Sequence, residues 1–180
     1  MSKLMIASDI HGSAYWCEKL IQKFNEINPD ELLLLGDLLY HGPRNPLPDG
    51  YAPQKVAELL SSIKTKLVCV RGNCDSEVDQ MVLDFPMFAD YALLFLDGKK
   101  VYATHGHLHG ELNPPPLESG TLFLNGHTHT PAYKTLENGV IYANCGSVSL
   151  PKPQTPHSYM VLENGVLSWY DLETGEQFNP

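Results

Sequence analysis

Three apolar runs alternating with two amphipathic stretches limit the topology of this chain more than any other feature. Residues 3–9 (KLMIASD), 31–37 (ELLLLGD) and 66–73 (KLVCVRGN) read as short buried strands, the second apolar on both faces. Between the first two, Trp16, Leu20, Phe24 and Ile27 recur at helical spacing, with Ser13 placed to cap the helix and Pro29 just beyond its end. Val56, Leu59, Leu60 and Ile63 form a second helical stripe before the third run. A strand that reaches its neighbour through a helix pairs with it in parallel and crosses over right-handedly. The N-terminal portion is therefore expected to build the parallel part of a sheet.

Beyond Asp90 the pattern changes to hairpins. The pairs Asp97-Gly98, Asn138-Gly139 and Asn164-Gly165 each sit between strand-like residues and predict three turns, whereas residues 76–90 carry no clear period. The expected fold is α/β, two mixed β-sheets packed face to face and flanked by helices, within a single domain spanning residues 1–180. Residues 40–53 (YHGPRNPLPDGYAP) predict a long loop, either a plain surface connection or a cover over substrate. In the second case Arg44 is the side chain to follow.

Composition narrows the function. The chain is 43% apolar and 18% charged, as globular proteins are. No run approaches the roughly 18–20 apolar residues that span a bilayer, and the first residues lack the apolar segment and cleavage site of a signal peptide, so a cytoplasmic location is expected. Cys17, Cys69, Cys74 and Cys145 show neither CxxC nor zinc-finger spacing, which fits reduced thiols. A formal charge of −9 with only 12 Lys and Arg weighs against a nucleic-acid partner, although bound metal would add charge that composition does not count.

The chemistry lies where the apolar runs stop. Asp9 and His11 follow the first, Asp37 the second, Asn73 the third, His105 follows residues 101–104 (VYAT), and His127 and His129 follow residues 122–126 (LFLNG). In an extended chain alternate residues share a face, so His127 and His129 are expected to converge on one object, as are Asp9 and His11. Ligands of open α/β sheets bind beyond the carboxyl ends of strands, which would gather all seven side chains at one rim. Seven donors exceed one tetrahedral zinc; two ions fit better, with Asp37, alone on its strand and central in this order, as the bridge. Ions ~3.5–4 Å apart can hold both oxygens of a phosphoryl group and turn a shared water into a nucleophile. Nitrogen and oxygen donors suit Mn²⁺, Zn²⁺, Fe, Co²⁺ or Ni²⁺.

Asp9-Ile10-His11, Gly36-Asp37, Gly72-Asn73-Cys74-Asp75, His105-Gly106 and Gly126-His127-Thr128-His129, in this order, resemble the five motif blocks of the calcineurin-like metallophosphoesterases. The size of the chain and residues 144–151 (NCGSVSLP) are similar to the small bacterial and archaeal phosphodiesterases of that superfamily. The resemblance implies an αββα sandwich, with Asp9, His11 and His129 on one metal, Asn73, His105 and His127 on the second, and Asp37 bridging. It implies two divalent ions, Mn²⁺ favoured, and in-line attack of a metal-bound hydroxide on a small phosphodiester, Asn73 stabilising the developing charge. A homodimer or homotetramer is compatible with it.

One departure bears on substrate. Many family members carry a histidine after the asparagine; here it is Cys74, and a thiol with an ordinary pKa near ~8.5 replaces an imidazolium poorly. Substrates whose leaving group needs little protonation are expected, and monoesters are disfavoured. Asp75 keeps the acid position and can orient a neighbour of the ligands. Asn73, Cys74 and Asp75 are thus the candidate catalytic residues. His41, His107, His109 and His157 are expected to be solvated or merely nearby. Two rivals stand beside this reading. One is a phosphomonoesterase or nuclease on the same site. The other is a non-catalytic scaffold, since a eukaryotic retromer subunit resembles the family in fold; retention of every ligand position weighs against it.

Overall fold

A computed structural model describes residues 2–180. In chain order it contains β1 (Lys3–Ala7), α1 (Ala14–Ile27), β2 (Glu31–Leu34), α2 (Pro53–Ser61), β3 (Leu67–Cys69) and α3 (Glu77–Val82). There follow β4 (Ala92–Leu96), β5 (Lys99–Ala103), β6 (Leu122–Asn125), β7 (Pro131–Thr135), β8 (Ile141–Cys145), β9 (Ser158–Glu163), β10 (Val166–Asp171) and β11 (Gln177–Phe178). The first sheet has the order β11-β10-β9-β1-β2-β3 and the second β4-β5-β6-β8-β7. As the strand–helix–strand pattern requires, β1, β2 and β3 are parallel; β9 then returns antiparallel beside β1. The second sheet is also mixed, with β5, β6 and β8 parallel and β4 and β7 antiparallel at its edges.

Alternate residues of β1 and β2 serve opposite cores, which is why these strands read as apolar throughout. Met5, Ala7, Leu32 and Leu34 face α1 and α2 through Trp16, Leu20, Phe24, Val56 and Leu60. Leu4, Ile6, Leu33 and Leu35 face the second sheet and meet Val101, Ala103, Leu122, Leu124 and Ala143. Ser13 caps α1 by accepting the Trp16 N–H at 3.2 Å, and Asn28 ends it in the left-handed conformation. On the outer side of the second sheet Phe123, Val140 and Tyr142 pack with Leu117 and Leu136 from neighbouring loops, so the long helices lie on one outer face only.

The segment without a clear period contains the short helix α3, which depends on local hydrogen bonding: Ser76 and Asp79 close a reciprocal capping box. Asp97-Gly98 and Asn164-Gly165 form the expected two-residue turns, both residues of each having positive φ. At Asn138-Gly139 the outcome differs. Residues 136–140 separate β7 from β8, only Gly139 has positive φ (80°), and the Asn138 side chain instead accepts the Val140 N–H at 3.1 Å.

Candidate metal centre

The backbone at the rim is not extended. Asp9, His11, Asp37, His127 and His129 all adopt left-handed conformations, with φ of 60°, 49°, 56°, 67° and 59°. Strand alternation therefore does not explain how each i, i+2 pair converges; sharp turns directly after the strands do. Such conformations cost of order 1–3 kcal/mol each and persist where neighbours dictate them. Here the dictating contacts are backbone hydrogen bonds between the strand ends, Asp9 N–H to Gly36 O at 3.1 Å and His11 N–H to Asp37 O at 2.9 Å. Within the second sheet Gly126 N–H donates to His105 O at 2.9 Å, and the Asn144 side chain donates to Gly126 O at 2.6 Å.

These turns bring all seven expected donors into one cluster with two halves. His11 Nε2 and His129 Nε2 lie 3.2 Å apart, and Asp9 Oδ1 stands 3.5 Å from the first and 3.2 Å from the second. In the other half His105 Nε2 faces Asn73 Oδ1 at 3.0 Å and His127 Nδ1 at 3.2 Å. Asp37 Oδ2 stands between the halves, 3.7 Å from His11 Nε2 and 3.4 Å from His105 Nε2.

The donor chemistry fits cations. His11, His105 and His129 each direct Nδ1 to a backbone carbonyl, of Tyr40, Leu35 and Leu150, at 2.8, 2.7 and 2.6 Å. A neutral ring that donates from Nδ1 leaves its Nε2 lone pair bare. Bare lone pairs of His11 and His129 then confront each other at 3.2 Å, and Asp9 Oδ1 is buried with no hydrogen-bond partner. A buried arrangement of acceptors facing acceptors is costly unless a positive charge sits among them. In the metal-free chain protons partly fill that need. Burial lowers the His105 pKa, but Asp37 and Asp9 more than reverse this and bring it to about 9. Burial would raise the Asp9 carboxyl, yet His11 and His129 hold it well below its ordinary value.

The candidate catalytic trio divides. Asn73 is exposed at the rim with its side-chain oxygen toward His105. Cys74 is half-buried; burial and the adjacent Asp37 push its thiol up to about 12, so it stays neutral. Asp75 is buried beneath the rim, and its carboxylate accepts the backbone N–H of Asp37 (2.8 Å), Leu38 (2.9 Å) and Gly72 (2.7 Å). It thereby ties the Asp37 turn to the Asn73 turn.

A cavity of about 750 Å³ opens over the cluster, and Arg44, Asn45 and Lys152 line it with Asn73, His127 and His129. The loop 40–53 thus borders the site. His109 is exposed, whereas His107 flanks the cluster, its ring centroid 5.4 Å from that of His105 and 6.2 Å from that of His127. His41 packs edge-on between Tyr40 and Tyr51. His157, far from solitary, stacks on Trp16 at 3.5 Å between centroids.

Several supports escaped sequence reasoning. Ser147 and Ser149 both donate to Asp9 O at 3.0 Å, so residues 144–151 serve as a buttress for the first turn. The signal was present as polar residues in a segment that the structure buries, but polarity alone does not say what they hold. Gly126 permits close approach: a Cβ there would overlap Ser8 Oγ and stand 2.7 Å from Asp9 Oδ2.

Two mixed sheets packed face to face, with Asp, His and Asn side chains gathered where their parallel strands end, define a phosphoesterase of the calcineurin-like type. The chain belongs to the calcineurin-like phosphoesterase superfamily, whose domain matches residues 2–165. Phosphodiesterase YfcE of Escherichia coli strain K12 is 48% identical over 168 residues, covering 93% of this chain and 91% of that protein. The solved structure of YfcE, a phosphoesterase from E. coli, superposes with a TM-score of 0.94 at 45% identity, covering 98% of this chain and 97% of that one. Wild-type Vps29 from Entamoeba histolytica, solved complexed with Zn²⁺, shares the fold at 18% identity and a TM-score of 0.63, over 98% of this chain and 96% of that one. Among the described residues no helix is long and apolar enough to cross a membrane.

Proposed function

We propose that the chain is a two-metal phosphodiesterase acting on small phosphodiesters. The observation that carries this reading is the position of Asp37 Oδ2, 3.4 and 3.7 Å from ring nitrogens that belong to separate donor sets. Asp9, His11 and His129 would hold one ion, Asn73, His105 and His127 the other, with Asp37 shared. Mn²⁺ is favoured by the family resemblance; the nitrogen and oxygen donors suit Zn²⁺, Fe, Co²⁺ or Ni²⁺ as well. Bound ions would supply the positive charge that orients a phosphoryl group and the acidity that activates water.

The residues of the chain perform the remaining tasks. Backbone carbonyls fix the tautomers of His11, His105 and His129, so that their Nε2 lone pairs face the cluster. The exposed Asn73 amide would stabilise charge developing on a phosphoryl oxygen. Arg44 and Lys152 border the cavity and favour an anion there. Cys74 offers neither a cation nor a ready proton, which supports diesters with a good leaving group over doubly charged monoesters. The identity to Phosphodiesterase YfcE supports the same choice.

The test is metal analysis of the purified protein together with hydrolysis of bis(p-nitrophenyl) phosphate by wild type, Asp37→Asn and His127→Ala. Metal-dependent hydrolysis is expected in wild type and a loss of at least ~10²-fold in each variant, with unchanged circular dichroism. Undiminished hydrolysis in either variant refutes the ligand assignment. A metal-free wild type that stays inactive after loading favours the scaffold reading.

A further inference from the structure

A second cavity, of about 510 Å³, lies beside the metal centre between the loop that follows β2 and helix α3. The two spaces share Tyr40, Cys74 and Ser76, so they meet along one border. Tyr40 is fixed at that border. Its carbonyl accepts from His11 Nδ1 at 2.8 Å, and its ring packs edge-on against His41, which packs in turn against Tyr51.

The chemistry of the two spaces differs. Arg44 and Lys152 line the larger one, whereas no Lys, Arg or His lines the smaller. Its walls are mainly Leu39, Tyr51, Pro53, Val78 and Val82. The single carboxylate there, Asp79, is engaged by the N–H and hydroxyl of Ser76 at 2.7 and 3.0 Å. Val78 and Val82 are 66% and 56% exposed and lie one helical turn apart, an apolar pair left open next to a polar site.

We infer that this groove is the subsite for one ester arm of the substrate, and that the arm is an uncharged aromatic ring such as an aryl group or a nucleobase. The inference rests on the proposed phosphodiesterase reading and names its substrate class. A phosphodiester carries its single negative charge on the phosphoryl group, which the larger cavity with its two cations receives. Each arm must leave that cavity, and the groove is an adjoining exit. A flat ring there would meet apolar surface from Tyr40, Tyr51 and the valines of α3, all of which line the groove. An arm bearing a second phosphate would lose hydration without meeting a cation. Polynucleotides and other multiply phosphorylated chains are therefore excluded from the groove.

Calorimetric titration of the manganese-loaded protein with diphenyl phosphate and dimethyl phosphate tests this, in wild type, Val78→Asp and Val82→Lys. Both positions are exposed and each new charge suits its end of α3, so the fold is retained. Wild type is expected to bind diphenyl phosphate roughly tenfold more tightly than dimethyl phosphate. Each variant should lose most of that preference while its affinity for dimethyl phosphate moves by less than about twofold at physiological salt. Equal affinities in wild type overturn the inference. So does a result in which Asp weakens and Lys strengthens both ligands alike, since that is a field acting on the anion. If wild type hydrolyses bis(p-nitrophenyl) phosphate yet shows no aryl preference, the groove assignment fails alone. If it neither binds nor hydrolyses diesters, the function proposed above falls and the groove with it.

Discussion

Asp75 accepts the backbone N–H of Asp37 at 2.8 Å across 38 residues of chain, with the N–H groups of Leu38 and Gly72 on the same carboxylate. The residue is 3% exposed, so water cannot replace those bonds. Asp75→Asn keeps the shape but turns an amide against backbone donors. A stability loss of about 2–4 kcal/mol is expected, read as a lower urea midpoint, together with weaker metal binding because the Asp37 turn loosens. An unchanged midpoint with unchanged metal affinity would remove the positioning role.

Cys74 puts a neutral group in the cavity wall beside the loop 40–53. Its Sγ accepts the Asn73 side-chain N–H at 3.3 Å, and a Cβ at Gly42 would come within 3.0 Å of it, so the thiol is hemmed in by its own loop and that of Gly42. A histidine at this position would add a potential cation and proton donor. Cys74→His is expected to raise p-nitrophenyl phosphate hydrolysis relative to bis(p-nitrophenyl) phosphate by about tenfold or more. An unchanged ratio of the two kcat/KM values would show that the thiol does not govern the choice.

The parallel strands, the helices between them and the seven donors were legible because each depends on near-neighbour patterning: apolar runs, 3.6-residue spacing and polar residues where the runs stop. The conformation that brings the donors together was not. Nothing in Asp9-Ile10-His11 announces two left-handed residues, because that state is imposed by bonds to Gly36 and Asp37, which are distant in sequence. The orienting role of Asp75 was legible but its partners were not, because the backbone N–H groups of Asp37 and Leu38 that it holds are distant in sequence. The helix α3 was missed because a six-residue element depends on its capping box more than on a periodic apolar face.

Gly126 is required by proximity, since its backbone passes against Asp9. In Gly126→Ala the new Cβ would stand 2.6 Å from Ser8 Cβ, so rotation of the Ser8 hydroxyl cannot relieve the clash. The Asp9 carboxylate or the turn before His127 must shift, and His127 N–H loses its 3.0 Å bond to Asp9 Oδ2. Metal affinity is expected to fall roughly tenfold or more, measured by competition with a chelator. Wild-type affinity in the alanine variant would mean that the turn tolerates a side chain and that the glycine serves another purpose.

Metal uptake should release protons. In the metal-free chain burial pulls the His105 ring down, while Asp37 and Asp9 raise it to about 9. The His11 ring is likewise lowered by burial and raised overall by Asp9 and Asp37. At pH 7.5 His105 is therefore largely protonated, and a cation that takes its Nε2 must displace that proton. Raising the pH removes the competing proton, so apparent affinity increases up to about pH 9 and weakens below it. Stability of the metal-free form runs the other way. A folded pKa above the unfolded value of ~6.5 gives stability that is complete below that value and lost as pH rises through about 9. Calorimetric manganese titrations at pH 7.5 in buffers of different ionisation enthalpy should give a slope of at least about one proton released per protein. A slope of zero would mean that the rings are already neutral and that the electrostatic account of the metal-free cluster is wrong.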